Sequence, residues 1–105
     1  MSQWIRACAV DSIDVEDVAP LVVGERHLAV YHSEEGEYYA TDGHCTHERA
    51  LLCEGLAMDG VIECPRHNGQ FDYRSGRALG APVLVDLRTY PVSVRDGYVY
   101  VDIDG

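Results

Sequence analysis

A chain of 105 residues holds one small domain with a modest core, and leaves no room for a catalytic domain beside any cofactor module. Its formal net charge of −10 argues against nucleic acid as a partner, because phosphate binding needs a basic patch. No apolar run approaches the roughly 18 residues that a membrane span needs, and Met1 to Cys8 lacks the basic and apolar regions of a secretory signal, so a soluble, cytoplasmic protein without a membrane partner is expected.

In chain order, the sequence predicts strands punctuated by turns, with no helix-period segment of useful length. Trp4 to Cys8 forms a first strand. The acidic run Asp11, Asp14, Glu16, Asp17 follows. Pro20 to Val23 and His27 to Tyr31 flank Gly24-Glu25-Arg26 as a hairpin. Ser33 to Gly36 is a polar turn before a strand from Glu37 to Thr41. Asp59-Gly60 turns the chain into Val61 to Glu63, which delivers Cys64. Gln70 to Tyr73 leads away, and Arg74 to Arg77 turns again. At the end, Asp96-Gly97 between Tyr90–Val94 and Tyr98–Asp102 is a strong hairpin signal. The expected architecture is all-β: an antiparallel sandwich or barrel base, about residues 1–41 and 83–105, with a small lobe of about residues 42–82 inserted.

The lobe carries the chemistry. Cys45-Thr46-His47 is followed, after sixteen residues, by Cys64-Pro65-Arg66-His67. Each half supplies one thiolate and one imidazole, the two-Cys, two-His set of a Rieske [2Fe–2S] centre. Cys45, His47, Cys64 and His67 are therefore the candidate cofactor and metal ligands. Two ferric ions, two sulfides, two thiolates and two neutral imidazoles sum to zero charge. Such a site accepts an electron more readily than an all-Cys cluster, which starts at −2. The competing use of the same ligands is a tetrahedral zinc, but zinc modules pair like ligands, as in C-x₂₋₄-C and H-x₃₋₅-H, and here each motif is mixed. In a reducing cytosol, cysteines at such spacing are metal ligands rather than a disulfide framework.

With these motifs the chain resembles the Rieske-type ferredoxins of bacterial aromatic-ring-hydroxylating oxygenase systems over nearly its whole length. Gly55, Asp59-Gly60, Gly69, Phe71, Ser75-Gly76 and Pro82 share in the resemblance. It implies the Rieske fold, with the two cysteines on an inner iron and the two histidines on an outer iron near the surface. It also implies a non-enzymatic electron carrier, a monomer, between a flavin-dependent ferredoxin reductase and a terminal Rieske non-haem iron oxygenase. Reduction would favour proton retention on the ligand imidazoles, so the potential should fall as pH rises. Respiratory Rieske proteins carry an extra loop disulfide, and the matching positions here are Ala50 and Arg66. They also place hydroxyl donors near the cluster, where this chain has Gly69 and Phe71, so a potential near the low end, about −150 mV, is expected. A rival reading is a Rieske small subunit of a nitrite reductase or another oxidoreductase complex.

Other residues have blander readings. Cys8 and Cys53 are fillers outside the ligand set, although a bridge between them is conceivable. His44 is a solvated or supporting neighbour of Cys45; His27 and His32 are structural and distant from the lobe. Arg49 and Arg66 place positive charge in the two loops, either solvated or facing a partner. Asn68 suits a turn conformation that Asn tolerates. Pro82 belongs to a loop covering the cluster. Tyr31, Tyr38, Tyr39, Tyr90, Tyr98 and Tyr100 pack the sheets. The acidity serves solubility, or steers the protein toward basic docking sites.

Overall fold

The computed structural model describes residues 2–47, 49–66 and 68–105. Among the described residues, ten strands form three antiparallel sheets. They are β1 (Trp4–Ala9), β2 (Asp17–Val23), β3 (Arg26–His32), β4 (Tyr38–Asp42), β5 (Leu56–Met58), β6 (Val61–Glu63), β7 (Gln70–Asp72), β8 (Thr89–Tyr90), β9 (Val92–Arg95) and β10 (Tyr98–Asp102). One short 3₁₀ turn, Leu52–Glu54, precedes β5. The sheet orders are β1-β10-β9, β2-β3-β4-β8 and β5-β6-β7.

The four-stranded sheet is the middle layer. Leu28 and Val30 of β3 point into one buried cluster with Leu21, Ala40, Val99 and Val101, facing the β1-β10-β9 sheet. Ala29 and Tyr31, on the other face of the same strand, enter a second cluster with Ala57, Ile62 and Phe71 of the β5-β6-β7 sheet. Four consecutive residues of β3 are therefore buried, as expected of a strand covered on both faces.

Turn chemistry sets the hairpins. Asp59-Gly60 and Asp96-Gly97 both hold positive φ at both residues, the type I′ geometry that matches strand twist. Their flanking pairs are Met58↔Val61 and Arg95↔Tyr98. Pro20 lies in β2, an edge strand, where a missing N–H costs no ladder bond.

One expectation is corrected. The predicted strand Tyr90 to Val94 is two strands in different sheets: β8 pairs with β4, and β9 pairs with β10. Pro91 separates them and has no N–H to continue a ladder. The chain crosses between layers there, while the Pro91 carbonyl accepts a bond from the Asp102 N–H (2.9 Å).

Candidate metal centre

Three loops converge at one end of the lobe. The first leaves β4 at Gly43 and is closed twice by backbone bonds, from Leu52 N–H to Gly43 O (2.8 Å) and from Cys45 N–H to Ala50 O (3.0 Å). The second leaves β6 at Cys64 and is closed by a bond from the Cys64 N–H to Gly69 O (2.7 Å). In each loop the cysteine bonds to the residue five positions on, so both cysteines sit at the bases of comparable loops. Cys45 is 6% exposed and Cys64 1%, and both belong to the core cluster of Ala50, Leu52, Ile62, Phe71 and Val83. His47, two residues beyond Cys45, is exposed. The fourth expected ligand, His67, lies outside the described residues, as does Glu48.

The third loop, between β7 and β8, packs against the other two. Val83 is buried and sits so close to Gly69 that a Cβ there would lie 2.6 Å from its Cγ1. Glycine at 69 thus has a packing reason: any side chain would displace the covering loop. The Thr46 hydroxyl donates to the Val85 carbonyl at 2.6 Å and ties the first loop to the third. Sequence reasoning passed over Thr46 as the intervening residue of the motif, and spacing alone carries no signal for this bond. Asn68 has φ +56°, in agreement with its expected turn conformation.

The remaining candidates fall into place around this centre. Cys8 and Cys53 are free, half-buried thiols that pack against different core clusters, so no bridge joins them. Burial, then Glu54, push the Cys53 thiol pKa up, which keeps it protonated. His44 is half-buried and pairs with Leu51 across the first loop. Burial first, then Arg49 and His27, hold its imidazole below the usual pKa, with Asp42 opposing. His27 is not distant from the lobe, contrary to expectation. Its carbonyl accepts from the Gly43 N–H (2.8 Å), and its ring meets His44 edge-on at 5.2 Å. His32 is structural, with Nδ1 2.8 Å from the Ile13 carbonyl and its ring stacked on Tyr38. Arg49 and Arg66 are exposed, one in each cysteine-bearing loop.

The donor set suits a soft-metal cofactor. Two buried sulfurs at the bases of adjacent loops, with an imidazole further out on one of them, match the ligand chemistry of a mixed Cys/His iron–sulfur site. The Rieske [2Fe–2S] domain model matches residues 3–91. The chain belongs to the Rieske [2Fe–2S] family. It is 44% identical over 101 residues to the ferredoxin component of the naphthalene 1,2-dioxygenase system of Pseudomonas aeruginosa, covering 96% of each chain. Among solved structures, the Sphingomonas yanoikuyae B1 ferredoxin aligns with a TM-score of 0.88 and 37% identity, over 95% of this chain and 98% of that one. A ferredoxin in complex with the oxygenase of carbazole 1,9a-dioxygenase aligns with a TM-score of 0.87 and 37% identity, over 94% and 92%. This Rieske protein is accordingly a ferredoxin-type electron carrier, not a catalyst. Among the described residues, no helix is long and apolar enough to cross a membrane.

Proposed function

We propose that Cys45, His47, Cys64 and His67 hold one [2Fe–2S] cluster, and that the protein passes single electrons from a flavin-dependent reductase to a terminal ring-hydroxylating oxygenase. The observation that carries this reading is the pair of buried cysteines in matched, backbone-closed loops, with His47 displayed outward. When bound, the cluster supplies a one-electron carrier that cycles between a neutral and a singly negative state. The chain's own residues do the rest. Cys45 and Cys64 anchor the site in the core, and Ala50, Phe71 and Val83 around them keep water from the sulfurs. The Thr46–Val85 bond and the Val83–Gly69 contact hold three loops in one arrangement, which limits reorganisation between redox states. His47, at the surface, gives the electron a short way out to a docked partner. The oxygenase partner is supported by the similar ferredoxin solved in complex with its oxygenase. A monomer suits such a shuttle.

The test is EPR on anaerobically purified, dithionite-reduced protein, followed by electron transfer from a flavin reductase to an oxygenase. A rhombic signal with average g below that of an all-Cys cluster is expected. It should be lost in His47→Ala and His67→Ala and kept in Cys8→Ser and Cys53→Ser. A signal that survives loss of either histidine would overturn the ligand assignment. A colourless protein with stoichiometric zinc would overturn the carrier reading.

A further inference from the structure

The β5-β6-β7 sheet has two faces. Ala57, Ile62 and Phe71 point inward and are buried. Strand alternation therefore turns Leu56, Met58, Val61, Glu63 and Gln70 outward. Leu56 is 55% and Met58 47% exposed, and with Val61 they floor a groove of about 320 Å³ bordered by Asp59, Glu63 and Gln70. An apolar floor on the outer face of the lobe has no packing role in the fold, since the core lies on the opposite face.

The groove's border is acidic. The Glu63 carboxylate takes its side-chain bond from the neutral Gln70 amide (3.2 Å), which leaves its charge uncompensated by that contact. At the Asp59 end the repulsion is stronger. The carboxylate oxygens of Asp59, Glu16 and Glu34 lie within 4.8 Å of one another, while nearby Arg74 is committed to Glu35 (3.1 Å). Three carboxylates this close concentrate negative charge at that end of the groove, which attracts a cationic side chain of a partner. An apolar centre with a charged border is the usual anatomy of a docking site. The sign of the border selects the partner.

We propose that this face is a docking surface for a basic redox-partner protein, one that sets an apolar side chain on Leu56, Met58 and Val61 inside a ring of Lys or Arg. The partner class rests on the electron-carrier reading above; the surface itself rests on the sheet geometry. β6 ends at Glu63, the residue before Cys64, so the groove's Glu63 border adjoins the start of the second loop.

Mitochondrial cytochrome c, a redox protein with a lysine-ringed apolar haem edge, serves as the probe. It is joined to the oxidised holoprotein by a zero-length carbodiimide, and the adducts are mapped by mass spectrometry. Adducts at Glu63 and Asp59 are expected. The yield at Asp59 should fall at least about fivefold in a Leu56→Ser/Met58→Ser double variant and in Glu63→Lys, which is a loss of about 1 kcal/mol of binding. Adducts confined to Asp11 and Asp14 or to Glu35 and Glu37, or yields untouched by these substitutions, would overturn the proposal. Should a variant fail to fold, the adduct map of the unsubstituted protein decides by itself. Loss of the EPR signal is a separate result: it would sink the carrier reading without moving the map.

Discussion

Phe71 shows how much one residue decides. It is fully buried in the cluster that contains Cys45 and Cys64, and its ring offers no hydroxyl. Phe71→Tyr adds a donor within the same shell. One added hydrogen bond to a sulfur, about 1 kcal/mol, corresponds to a rise in potential of about 40 mV for one electron. Protein-film voltammetry checks it, and an unchanged potential would show that the new hydroxyl finds another acceptor. The parallel change at Gly69 is closed off by Val83. Tyr73 presents the opposite case. Its ring stacks on Tyr31 at 4.5 Å, its side chain is fully buried, and its hydroxyl has no hydrogen-bond partner among the described residues. A buried orphan hydroxyl costs free energy, so Tyr73→Phe should raise stability by about 1 kcal/mol in urea titration. A loss of similar size would mean the hydroxyl is satisfied in solution.

At the scale of elements, turns are where the backbone has least freedom. Gly76 ends the turn after β7 with φ +81°, and a Cβ there would lie 2.2 Å from the Leu87 carbonyl oxygen. That carbonyl belongs to the loop that covers the centre, and the Leu87 N–H in turn bonds to Gly76 O (2.7 Å). Gly76→Ala should therefore cost about 3 kcal/mol or prevent folding, seen as a lowered urea midpoint. Retention of full stability would show that the loop shifts freely. The Asp-Gly turns, the hairpin after Val23 and the polar turn at Ser33 were all legible in the sequence, because short-turn preferences are local. The break at Pro91 was half legible. Proline signals an interruption, but the change of sheet depends on β4 and β10, which lie far away in the chain.

For the whole molecule, the two chain ends close one sheet. β1 pairs with β10, and the Asp102 carboxylate accepts from the Gln3 N–H (2.8 Å) and the Asp104 N–H (3.1 Å). The Gln3 bond is the chief cause that holds this carboxyl below its usual pKa. A depressed folded pKa stabilises the fold above the unfolded value of about 3.9, and that contribution is lost as pH falls through the folded value. The stability advantage of the native protein over Asp102→Asn should thus be present at pH 7 and shrink on acidification below about pH 4. Thermal melts across pH test this, and a difference that does not change with pH would exclude the carboxylate as its source.

Short segments of sequence carry the Rieske family resemblance and the strand-and-turn character, since Cys/His spacing and Asp-Gly turns are local properties. Tertiary structure alone decided that β3 is buried on both faces, that Val83 and Val85 lock the loops through Gly69 and Thr46, that His27 reaches His44, and that the lobe sheet shows an acid-bordered apolar face. Each of these joins residues distant in sequence. Such contacts follow from how layers stack to bury apolar surface, and no local pattern encodes which partner a face will meet.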